Sequence, residues 1–104
     1  MLALSAGSAA AGQKIYEGPE AAALRCANTL ALTAVALADT GRLGEAEKEV
    51  MLEITVLILE RHVSGTWAQK KAALRVVRDR RDVPQTLGDF ERYAQTCFER
   101  FPIN

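Results

Sequence analysis

The sequence has little of what catalytic and metal-binding sites need. It contains one histidine and two cysteines, so the clustered Cys and His ligands of a zinc site are missing. No Gly-rich phosphate loop, Gly-x-Ser-x-Gly turn, His-Glu-x-x-His helix or Cys-x-x-Cys pair occurs. We therefore predict no catalytic residue, no metal ligand and no cofactor-binding residue, and we expect a non-enzymatic protein.

Excess charge and long apolar runs are also lacking. Lys and Arg number 13 and Asp and Glu number 13, so the net charge is zero, which argues against binding nucleic acid or an anionic membrane over the whole surface. No run of about 18 strongly apolar residues occurs. The nearest, residues 21–38, is rich in alanine and contains Arg25 and Asn28. It is typical of a core helix in a soluble domain, and no membrane span is predicted.

Alternation of apolar and polar residues between turn residues is absent, so no strand is predicted. The chain has 104 residues, of which 49% are hydrophobic and 25% charged. This composition indicates a globular protein with one domain. We divide it into a flexible N-terminal arm, residues 1–18, and a single helical domain, residues 19–104.

The start of the arm resembles the end of a secretory signal. A short apolar piece is followed by Ala9-Ala10-Ala11, which suits a cleavage site with small residues. No basic residue precedes it, and the apolar piece is short. Two interpretations stand: an export-signal remnant on a periplasmic or secreted protein, or a frayed terminus on a cytoplasmic one.

Residues 45–63 have charges at the front and a middle that is almost wholly apolar. On a helix, Glu49, Glu53 and Glu60 share one narrow stripe, and apolar side chains from Val50 to Leu59 cover the rest. A helix that is apolar nearly all round must be packed on several sides. We therefore predict an all-α fold, a small four-helix bundle of two packed antiparallel hairpins around a central apolar helix 45–63.

Start and stop signals delimit the other helices. Pro19 suits a first helical position, and Gly41 suits a left-handed cap at the helix end. Thr66 and Gln69 have the spacing of a capping box. Asp82-Val83-Pro84 interrupts the helical pattern, and Thr86 with Asp89, again at cap spacing, marks the next start. The predicted helices span residues 19–38, 67–81 and 86–100.

The link between the first two helices resembles the turn of a tetratricopeptide hairpin, which often has the sequence Gly-Arg-x-x-Glu-Ala. Gly41, Arg42, Glu45 and Ala46 match that pattern. No second copy follows about 34 residues later, so a repeat array is not predicted. The resemblance implies an antiparallel helical hairpin.

Cys26 lies early in the first predicted helix and Cys97 lies late in the fourth. Neighbouring antiparallel helices would bring these ends together, which permits a disulfide between the first and last helices. The alternative is two buried free thiols, since an unpaired cysteine behaves as a small hydrophobic residue.

Cations concentrate in the third predicted helix, where Lys71, Arg75 and Arg78 share one side. This face could contact an acidic protein or phosphates, or simply be solvated. We predict a protein that acts by protein–protein contact, as an interaction module, adaptor or structural accessory. A homodimer is expected because the first helix is so apolar. The alternative is a DNA-binding or regulatory protein that uses the basic helix 67–81.

Overall fold

The computed structural model describes residues 14–104, and this part of the chain is all-α. Its four helices are α1 (Gly18–Asp39), α2 (Glu45–His62), α3 (Trp67–Asp79) and α4 (Val83–Arg100). The predicted all-α bundle is confirmed. The export-signal interpretation concerns residues 1–13, which lie outside the described residues.

The centre of the bundle is α1, not the 45–63 helix that the sequence pattern favoured. α1 packs against α2, α3 and α4, and Ala23, Ala27 and Ala34 are fully buried in it. Small side chains let neighbouring backbones approach closely, so an alanine-rich helix can be surrounded on three sides. A count of large apolar residues does not identify α1 as the central helix, because such a count leaves out alanine.

α2 is covered on one side only. Thr55, Ile58 and Leu59 are its buried residues, whereas Val50 is 53% exposed and Val56 is 38% exposed. The apolar residues of α2 therefore exceed what α1 covers.

Local hydrogen bonds set the helix ends. After α1, Gly41 has φ +74°, its N–H donates to the Ala38 carbonyl (3.1 Å), and the Arg42 N–H donates to the Leu37 carbonyl (2.8 Å). This pair is a Schellman motif, so the predicted left-handed cap is confirmed. The Thr66 and Gln69 capping box is also confirmed.

α4 begins at Val83, ahead of the predicted start at Thr86. Asp82 is the N-cap and forms a capping box with Gln85. Pro84 lies in the first turn, where no intrahelical N–H bond is needed, so it is compatible with the helix. The prediction treated this proline as an interruption and was wrong on that point.

The residues before α1 lie against the turn between α2 and α3. The Tyr16 hydroxyl donates to the Ser64 carbonyl (2.7 Å), and the Glu20 carboxylate accepts the Ser64 N–H. That backbone hydrogen bond is the main reason why the pKa of Glu20 lies below its usual value. Burial, followed by the nearby Glu20 charge, raises the pKa of Tyr16.

The end of α2 is held by the C-terminal residues. A ring nitrogen of His62 hydrogen-bonds the Pro102 carbonyl (2.7 Å), and the ring meets the buried Phe101 edge to face, with centroids 5.4 Å apart. The single histidine thus has a structural role at a helix end.

Candidate functional site

Cys26 and Cys97 form a disulfide that joins α1 to α4. Their Cα atoms are 5.7 Å apart and the residues are separated by 71 positions. No free cysteine remains among residues 14–104. The predicted pairing is confirmed, and it fits an oxidising compartment.

α3 and α4 each pack on α1 and make little contact with one another. α3 contains no fully buried residue, and Thr86 is the buried residue of α4. Among residues 14–104, a large part of both helices therefore stays accessible beside α1.

Two clefts lie along this side of α1, and together we call them the groove. The cleft between α1 and α3 has a volume of about 560 Å³, and the cleft between α1 and α4 about 440 Å³. Arg25 and Arg81 line both clefts, so the two are neighbours that meet at these side chains. No residue of α2 lines either cleft.

The groove has a floor of small side chains and two partly apolar walls. Ala21, Ala22 and Thr29 of α1 form the floor beside Arg25. Val76 on the α3 wall is 49% exposed and Tyr93 on the α4 wall is 56% exposed. A floor this low allows a helix backbone to come within the usual distance of about 8–10 Å between helix axes.

The rim of the groove is cationic. Five cations line it, and Asp89 is its one carboxylate; the cations are Lys14, Arg25, Arg80, Arg81 and Arg100. Arg81 pairs with Asp89 at 2.8 Å. Within residues 14–104 the other four cations form no ion pair. The groove therefore complements a ligand that is both apolar and acidic.

The basic face predicted from the sequence lies elsewhere. Lys71, Arg75 and Arg78 are exposed, and at about 3.6 residues per turn they lie across α3 from Ala73 and Arg80. None of the three lines the groove.

Two signals pointed to the cations that do line the groove. Arg25 is a charge in an alanine-rich helix, with Ala21 and Thr29 four positions away on either side, so it has no charged helical neighbour. Arg80 and Arg81 lie in the same cation-rich part of the sequence as Lys71, Arg75 and Arg78. They are not on the side of the helix that those three residues share.

The outer side of α2 is acidic. Glu49, Glu53 and Glu60 are all exposed, as their common stripe predicted. Within the described chain no group of three or more His, Cys, Asp or Glu side chains is placed to hold a metal ion.

α1 is long and apolar enough to cross a membrane by length and composition, with a mean hydropathy of 1.5. In the structure, 44% of that window is buried, and the helix packs against all three others. A core helix and a signal sequence share these features.

Comparisons with protein-family models, curated proteins and solved structures gave no match.

Proposed function

We propose that this protein is a non-enzymatic binding module that acts by protein–protein contact. Its groove holds an amphipathic helix of a partner, with an apolar side flanked by Asp or Glu. The observation that supports this most concerns residues 14–104: apolar side chains on the walls are exposed beside a rim on which four of the five cations form no ion pair.

The apolar walls supply affinity in this mode of binding. A helix in a groove buries one apolar face, with anchors spaced three to four residues apart. Tyr93 is suited to such a contact because tyrosine is enriched among the residues that dominate interface energies. Burial of Val76 and Tyr93 adds roughly 25 cal/mol for each Å² of apolar surface removed from water.

The cations supply selectivity. Arg25 and Arg80, on the two sides of the first cleft, attract an acidic helix and repel a basic one. Because the groove is open to solvent, added salt weakens this attraction. We further propose a periplasmic or secreted location, which the disulfide supports.

Fluorescence anisotropy tests the proposal with a labelled helical peptide of about 18 residues, about 27 Å long, that carries leucines and alanines on one side and flanking glutamates. We expect saturable binding that weakens as salt is added. The double variant R25E/R80E replaces two attractions of up to about 1 kcal/mol each with repulsions, so affinity falls about tenfold or more.

K71E/R75E is the matched control, because it makes the same change in charge on the opposite side of α3. It should bind the peptide like the wild type. Equal losses in both variants, or equal binding of a peptide with lysines in place of the glutamates, would contradict the proposal.

DNA binding is the second candidate function. The observation that favours it is that Lys71, Arg75 and Arg78 stay exposed and that, in the described chain, none pairs with a glutamate of α2. It predicts that a labelled duplex binds at low salt, that K71E/R75E abolishes this binding, and that R25E/R80E leaves it intact.

A further inference from the structure

The outer side of α2 has the chemistry that the groove requires. Glu49, Glu53 and Glu60 form its exposed stripe, and at about 3.6 residues per turn they lie opposite the buried side of the helix. Val50 and Val56 flank the stripe, one on each side, and are 53% and 38% exposed. We call these five residues the acidic face.

We propose that the groove of one molecule binds the acidic face of α2 in a second copy of this chain. The inference rests on the proposed function and names the partner. Val50 and Val56 bring apolar surface to the walls at Val76 and Tyr93, and the glutamates meet the cationic rim.

The lengths match. α2 has 18 residues, which is about 27 Å at 1.5 Å per residue. α4, one wall of the groove, also has 18 residues, and α3, the other wall, has 13. A helix of this length is therefore long enough to contact either wall over the whole length of that wall.

The charges match as well. In α2, Glu45 is the glutamate paired with Lys48, at 2.9 Å, and this hydrogen bond raises the pKa of Lys48. Within the described chain the three glutamates of the acidic face make no ion pair. The formal net charge is zero although the molecule has an acidic surface and a basic one. Two copies can therefore approach without net repulsion.

The two surfaces are different parts of the molecule, because no residue of α2 lines the groove. Each copy can therefore offer its groove to one neighbour and its acidic face to another. Such a head-to-tail contact forms a ring when the rotation closes and an open chain when it does not. Assembly beyond a dimer is the expected result.

Sedimentation velocity on the full chain at low salt tests the inference. For the wild type we expect a mean mass that rises at least twofold above the 11.3 kDa of one chain as concentration increases, and that falls back when salt is added. E49K/E53K should remain monomeric because it places positive charge on both surfaces. R25E/R80E should remain monomeric because it leaves three cations and three carboxylates on the rim, which then no longer attracts the acidic face. K71E/R75E, which changes neither surface, should assemble like the wild type.

Mixing the two reversed variants gives the decisive result. In an equal mixture, the lysines on α2 of E49K/E53K can meet the new glutamates in the groove of R25E/R80E. The unchanged groove of E49K/E53K can likewise bind the unchanged acidic face of R25E/R80E. Assembly should therefore return on mixing, which also shows that both variants are folded.

A wild type that stays monomeric, a mixture that stays monomeric, or an assembly that the reversals leave unchanged would overturn the inference. The peptide experiment separates this failure from a failure of the proposed function. A monomeric protein that still binds the acidic peptide through Arg25 and Arg80 has the groove function with a different partner.

Discussion

Removal of the disulfide between Cys26 and Cys97 should cost a large share of the stability of this protein. The bond closes a loop across 71 positions. In the chain-entropy model, opening a loop of that length costs about 4 kcal/mol. Domains of this size are stable by roughly 5–15 kcal/mol, so the protein without the bond should be folded with a reduced margin.

Without the disulfide, the loss of stability against local opening should be greatest in α4. Thr86 is the buried residue of this helix, and Phe90 packs partly buried against the core. The disulfide is the covalent link between α4 and α1, so its removal weakens the attachment of α4 directly. α1 and α2 retain the core around Leu30, Ile58 and Leu59, which are at most 2% exposed. Amide hydrogen exchange should therefore become faster in α4 first, while α1 and α2 stay protected.

Urea denaturation of three samples measures the effect: the oxidised wild type, the wild type reduced with a dithiol, and C26A/C97A. The reduced wild type is the matched control, since it loses the bond without losing side-chain atoms. We expect the free energy of unfolding to fall by about 4 kcal/mol in both altered samples. A fall of less than about 1 kcal/mol, or exchange that accelerates equally in all four helices, would refute the reasoning.

Three further predictions test the fold. Leu30→Ala should cost about 2–5 kcal/mol because it leaves a cavity in the core, whereas Val50→Ala, on the exposed side of α2, should change stability by less than about 0.5 kcal/mol; urea denaturation compares them. Gly65→Ala should destabilise more than Gly41→Ala in the same assay, because both have positive φ but only at Gly65 would a Cβ meet side-chain oxygens, at 2.7 and 2.8 Å. The stability that ionised Glu20 contributes should be fully present above the ordinary pKa of 4.5. It should be lost as pH falls through the lower pKa that this carboxyl has in the folded protein. Glu20→Gln should therefore flatten the loss of stability that the wild type shows as pH falls below about 4.5.

Much of the local structure follows from the sequence. Thr66 with Gln69 and the glycine at position 41 mark helix ends through hydrogen bonds between residues a few positions apart, and such bonds depend little on the rest of the fold. The disulfide followed from the placement of one cysteine near the start of the first helix and one near the end of the last. The start of α4 was missed because Pro84 was taken as a break, although Asp82 and Gln85 three positions apart carry the capping signal.

The centre of the bundle and the groove could not be predicted in this way. Residues 45–63 contain more large apolar side chains than the alanine-rich α1, and the prediction of the central helix followed from those side chains. Which helix is surrounded depends on how closely its neighbours can approach, and alanine permits the closest approach. The groove exists because α3 and α4 pack on α1 with little contact between them, which is a property of the tertiary arrangement.

Chemical-shift mapping by NMR on the isotope-labelled full chain, titrated with the acidic amphipathic peptide, tests directly whether the groove is the binding site. We expect the largest shifts at Arg25, Val76 and Tyr93, which line the groove, and unchanged signals from Lys71 and Arg75. Shifts confined to Lys71 and Arg75, or no shifts at saturating peptide, would contradict the proposal.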